Sequence, residues 1–154
     1  MAEIKSLTGA GWLKDADDNF QSLASLAGLH VTKFTFDAEA DDNAATPASN
    51  KTVAAHPMAV SIPAKAIVIS GHVDVIAAVT SEGSATVAIH LANANDLLTA
   101  TILTGLTEGK QLPMAAVKTT PIKLAAEKAV TVTVGTAALT AGKFDGYLVW
   151  MEGA

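Results

Sequence analysis

The chain has 154 residues, ten lysines and no arginine against 15 acidic residues, a net charge of −5, and no cysteine. Without cysteine there is neither a disulfide framework nor a thiolate metal site. Without arginine or a basic cluster, the bidentate phosphate and guanine contacts of nucleic-acid binders are missing, so no nucleic-acid partner is expected. A chain of this length reads as a single folded domain burying roughly 70% of its unfolded surface. The first residues, M-A-E-I-K-S-L-T-G-A-G-W, lack the apolar core of a signal peptide. No apolar run reaches the roughly 18 residues of a membrane span, so no membrane partner is expected.

Residues 1–14 are polar and weakly patterned, with Trp12 and Leu13 as the exceptions. A Trp in such an arm either anchors on a neighbouring surface or folds back on its own core. Asp15 to Ala27 reads as one short helix: Asp15, Asp17 and Asp18 suit its N-terminal end, Phe20, Leu23, Leu26 and Ala27 share a face, and Gly28 stops it. Val31 to Asp37 is a strand with Phe34 and Phe36 on one face. Residues 38–50 are acidic, small and turn-rich, an exposed loop. Lys51–Ala55 and Met58–Ile62 read as two short strands around His56-Pro57, and Pro63 ends the second.

The stretch from Ala66 to Leu91 looks central. Ile67, Ile69, Val73, Val75 and Val79 alternate with Ser70, His72 and Asp74. After S-E-G-S, Ala85, Val87, Ile89 and Leu91 alternate again. Two strands with apolar faces joined by a four-residue turn predict a β-hairpin. Further on, Asn93–Asp96 is a turn. Leu97–Leu103 is a strand with a short helix as its rival, 104–113 is a loop, and Lys118–Leu124 is broken by Pro121. Ala129–Val134 is a strand, and Phe144–Met151 closes the chain as another. About eight short strands with one short N-terminal helix predict an all-β fold, a jelly-roll-like β-sandwich. The organisation expected is an N-terminal arm and short helix over 1–30 and a sandwich domain over 31–154.

No catalytic constellation forms. Ser70-Gly71-His72 lies mid-strand and lacks the sharp G-x-S-x-G elbow. His72, Asp74 and, across the expected hairpin, His90 are the nearest approach to a zinc set; polar residues on an outer or subunit-facing side are the preferred account of them. His30 and His56 stand apart. Asp37, Glu39, Asp41 and Asp42 do not follow a calcium-loop pattern and read as a solvated acidic loop. Gly9 and Gly11 make no phosphate cradle. Tyr147 offers a lone aromatic for a sugar surface. No catalytic residue, metal or cofactor is expected.

One family likeness rests on F-T-F-D at 34–37, T-V-A-A-H at 52–56, V-S-I-P-A-K-A-I-V at 60–68, V-D-V-I at 73–76, A-T-V-A-I-H-L-A-N-A-N-D-L at 85–97 and L-T-A-G-K-F at 139–144. Over roughly residues 31–151 the chain resembles small structural proteins of tailed bacteriophages, of the capsid decoration (cement) type. The resemblance implies a non-enzymatic β-sandwich, assembled in the host cytoplasm and seated on the capsid exterior as a homotrimer bound to the major capsid protein. It implies a terminal arm reaching a neighbour, which gives Trp12 and Leu13 a partner-binding role. The alternatives are a tail or fibre-base structural protein, or a glycan-binding β-sandwich module.

Overall fold

The computed structural model describes residues 28–154. The expected helix over 15–27 lies outside the described residues, as do Trp12 and Leu13. Nine strands are present among the described residues: β1 (Leu29–Asp37), β2 (Ala55–Ile62), β3 (Ile67–Ser81), β4 (Thr86–His90), β5 (Leu98–Ile102), β6 (Gln111–Pro113), β7 (Ile122–Lys123), β8 (Lys128–Gly135) and β9 (Leu139–Met151). A 3-10 turn (Leu103–Gly105) and one short helix, α1 (Ala115–Thr119), complete them.

The strands form two sheets. One has the order β1-β9-β3-β6, with β7 also pairing with β3; the other has the order β2-β8-β4-β5. With the two-residue β7 set aside, the chain passes repeatedly from sheet to sheet, and this wrapping is the jelly-roll order. The all-β sandwich expected from the sequence is the observed fold.

The expected hairpin is not. β3 pairs with β9, β6 and β7, whereas β4 pairs with β5 and β8. Residues 82–85 therefore carry the chain across from one sheet to the other. The physical reason is that alternation specifies an apolar face and not a hydrogen-bond partner. Val73, Val75 and Val79 point into the core from one sheet, and Val87 and Ile89 point into it from the other. A jelly roll also places these two successive strands in opposite sheets, so the two sequence expectations exclude one another.

Local irregularities correct other readings. The β3–β9 register slips between Val68 and Ser70. Ahead of the slip Val68 is buried, and after it Gly71, Val73 and Val75 are, so Ile67 and Ile69 are not core residues. The two strands expected at 51–62 are one: Lys51–Ala54 belong to the preceding loop, and β2 runs through Pro57. Pro57 is tolerated because β2 is an edge strand of its sheet. The loop expected over 104–113 ends in β6, and α1 follows where no helix was expected. Strand β9 starts at Leu139, five residues early.

The core lies between the sheets. Phe36 and Phe144 stack with ring centroids 4.9 Å apart, and Phe34, Ile62, Ile89, Leu148 and Val132 pack beside them. Trp150 joins the same core and donates from Nε1 to Thr32 Oγ1 at 2.8 Å, which satisfies its one donor. The Asn93–Asp96 turn closes on the Asp96 carboxylate, which accepts the N–H groups of Leu91, Ala92 and Asn93 at 2.8–2.9 Å.

Gly146 sets how near β9 approaches β1. A Cβ placed there would lie 2.1 Å from the Phe34 ring, itself buried and rigidly packed. Gly146→Ala is therefore expected to lower stability by about 1–3 kcal/mol through overpacking. Urea denaturation measures it; an unchanged midpoint contradicts the packing described.

Candidate functional site

The two outer sheet faces differ in chemistry. On the β2-β8-β4-β5 sheet the rows run Ala55–Thr133–Ala88, Pro57–Thr131–His90 and Ser61–Ala129. This face carries no Asp, Glu, Lys or Arg in those rows. Most side chains in the rows are small, Ser61 donates to Glu127 at the margin, and Ile102 at the β5 edge is 64% exposed. His90 Nδ1 lies 3.4 Å from Thr133 Oγ1 within it.

The outer face of the other sheet is charged. Lys33 Nζ sits 2.7 Å from Asp145 Oδ2, and Thr35 donates to Asp145 Oδ1 at 2.6 Å. The rows Asp145–Asp74–Gln111 and Tyr147–His72–Pro113 run across β9, β3 and β6. The His72 and Tyr147 rings stack with centroids 4.8 Å apart, and Lys33 Nζ lies 5.8 Å from the Tyr147 centroid. With β9 between β1 and β3, Tyr147 stands between Lys33 and His72 as a rung in a cross-strand ladder.

The histidines are dispersed. His72 is exposed on β3, His90 lies on β4 in the opposite sheet, and His30 stands near the start of β1. The failed hairpin is what separates His72 and Asp74 from His90. Among the described residues no group of three His, Cys, Asp or Glu side chains is placed to hold a metal ion. Ser70, Gly71 and His72 lie within the regular part of β3, and a Cβ on Gly71 would meet Met114 and Leu148. Among the described residues, no helix is long and apolar enough to cross a membrane.

The acidic loop is more ordered than its composition suggests. Asp37 pairs with Lys143 at 3.1 Å and accepts the Glu39 N–H; Lys51 pairs with Glu39 at 2.7 Å. Asp42 reaches inward to His56, whose side chain is fully buried. Sequence reasoning missed this pair. His56 shares strand parity with Met58, which is buried too, so its inward direction was readable; its partner, 14 residues away, was not.

Three carboxyls titrate below the ordinary carboxylate range. For Asp145, burial opposes ionisation, and the hydrogen bonds from Lys33 and Thr35 with the nearby lysine charges outweigh it. For Asp37 the Glu39 N–H is the main cause, with Lys143 adding to it against desolvation. For Asp42 it is the hydrogen bond from His56. A carboxyl whose folded pKa is depressed contributes stability above its unfolded pKa, and that contribution disappears as pH falls through the folded value. Asp145→Asn is therefore expected to destabilise at about pH 6 and to converge on the wild type toward about pH 2. Urea midpoints across that range check it; a gap that stays constant with pH contradicts the ion pair's role.

No family model matches the sequence, and neither does any curated protein sequence. Solved structures do match in fold. A chain from the acid-stable capsid of Helicobacter pylori bacteriophage KHP30 superposes with a TM-score of 0.57 at 13% identity, covering 82% of this chain and 89% of that one. A chain of the cyanophage Pam1 capsid asymmetric unit gives 0.53 at 12% identity, with 80% and 84% covered. A chain of the Ralstonia phage GP4 capsid gives 0.51 at 17% identity, with 81% and 86% covered. In each pair both chains are covered nearly end to end, so the matched chains are of comparable length. The described sandwich is therefore a fold that also occurs in phage capsids.

Proposed function

We propose that this chain is a virion structural protein, a decoration protein on the outer surface of a phage head. The observation that carries the reading is the fold likeness to chains of three phage capsids over most of both chains' lengths. Comparable length matters because the likeness then extends over most of both chains and not over one sub-region. The particle holds it on its exterior as a homotrimer bound to the major capsid protein through one end of the sandwich and the arm that includes Trp12 and Leu13.

The residue chemistry supports a role based on contact area and not on turnover. Lys33, Thr35, Asp145 and Tyr147 are tied into cross-strand contacts, and the rows of the β2-β8-β4-β5 face carry small side chains that suit close contact. Many weakly bound copies on one lattice gain strength together. The protein has no catalytic role in this reading. A tail or fibre-base position with the same fold is the second reading. The glycan-binding alternative rests on Tyr147, whose ring is stacked on His72.

The test mixes the purified protein with undecorated heads of the phage that encodes it. Co-sedimentation with heads, and a light-scattering mass near three times 15.6 kDa for the free protein, are expected. A monomer that stays in the supernatant contradicts the proposal. Deleting residues 1–28 is expected to weaken head binding at least tenfold while the sandwich keeps its urea midpoint, a loss of about 1.4 kcal/mol or more. Undiminished binding removes the arm from the account.

A further inference from the structure

His56 is enclosed between β2, β8 and the loop of residues 38–54. Its side chain is fully buried, and that of Asp42 is 4% exposed. Ring Nδ1 lies 3.0 Å from Asp42 Oδ2, and ring Nε2 lies 2.9 Å from the carbonyl oxygen of Thr52. A carbonyl oxygen and an ionised carboxylate only accept, so the ring satisfies both at once only when each of its nitrogens carries a proton. Both partners of the ring belong to the loop, one near each of its ends.

The same carboxylate organises the loop's interior. Asp42 Oδ1 accepts the N–H groups of Ala44 and Ala48, each at 3.1 Å, and the Asp42 N–H donates to Ala48 O at 2.8 Å. The loop is further joined to β2 by the Asn43 N–H on Pro57 O. The other charges around the ring are accounted for. Opposite His56 on β8 stands the apolar Val132; Lys51 is held by Glu39, Asp37 by Lys143, and Asp41 is exposed. No second cation faces Asp42 among these groups. A cavity of about 170 Å³, with Asp37, Asp41, Asp42 and Asn50 among its lining residues, lies beside the loop.

We infer that Asp42 and His56 form a proton-dependent latch that fixes the 38–54 loop on the sandwich while the ring is doubly protonated and releases it as pH rises. Removing one proton leaves a lone pair facing an acceptor whichever tautomer remains: Nδ1 against the carboxylate, or Nε2 against the Thr52 carbonyl. No rotation of the buried ring satisfies both. On the acid side the carboxyl holds its charge below the ordinary range, chiefly through the hydrogen bond from His56. The latch therefore opens toward alkaline pH and resists mild acid. Its sign is opposite to that of the Asp145 ion pair, which weakens in acid.

One substitution inverts the sign. In Asp42→Asn the amide oxygen still accepts from Ala44 and Ala48, while the amide N–H donates to an unprotonated Nδ1 and Nε2–H still donates to Thr52. The variant's loop is satisfied by a neutral ring and strained by a charged one. Methyl NMR of alanine-labelled full chain reads both cases, with Ala44 and Ala48 reporting the loop, Ala88 on β4 the sandwich, and the ring carbon protons the state of His56. In the wild type, the two loop methyls are expected to leave their native positions on raising pH, together with the His56 ring signals and while Ala88 stays native. In Asp42→Asn they are expected to leave on lowering pH. Loop methyls that stay native through the ring's titration, or until Ala88 also moves, overturn the inference, as does a variant that keeps the wild-type direction. If the variant does not fold, the wild-type titration decides alone.

Discussion

The pairing of β3 with β9 is the constraint on which the other elements depend. The ladder runs from Ile67 opposite Met151 to Ser81 opposite Leu139 and joins segments some seventy residues apart. It forms the middle of one sheet, with β1 on its outer side and β6 and β7 on the other. Two glycines allow it to pack. Gly146 admits the Phe34 ring against β9, and Gly71 admits Met114 and Leu148 against β3. At its far end Gly142, with φ of +141°, lies against Val79 where the register shifts. Such non-local pairing has to close a long loop before it gains contacts, which makes it a slow and late-rewarded step in folding.

The second sheet follows from the first. Once β3 is paired on both sides, the next strand has no place beside it and crosses over to meet β8. The core then fills from two directions, with Phe36 and Phe144 from one sheet and Ile89 and Val132 from the other. The two outer faces inherit different chemistry. One is knit by the Lys33, Asp145, Tyr147 and His72 contacts. The other is almost uncharged and gains little from polar contacts of its own.

Much of this is legible in the residues because faces are encoded locally. The alternation in 31–37, 129–134 and 144–151 marks strands, Asn93–Asp96 marks a turn, and the number of short strands points to a sandwich. What stays hidden is non-local. Strand partners, the slip beside Ile69, the three-residue β6 and the five-residue α1 are chosen by the assembled sheets and not by their own sequences. The absent hairpin is the clearest instance, since Ser81–Ser84 suits a tight turn and a crossing between sheets alike. For the site, the mid-strand setting of Ser70, Gly71 and His72 is readable, but the separation of His72 from His90 is not, because it follows from the absent hairpin. The inward direction of His56 is readable from its parity with Met58; its pairing with Asp42 is not, because the partner comes from an acidic loop that looks solvent-facing until the fold brings the two together.

The proposed function has this jelly roll cover the outer surface of a phage head. Cryo-electron microscopy of heads incubated with the purified protein tests that most directly. Sandwich-shaped density is expected on the outer face of the shell, clustered in threes at capsomer junctions and absent from untreated heads. Density confined to the tail or its fibres, or treated heads indistinguishable from bare ones, would contradict it.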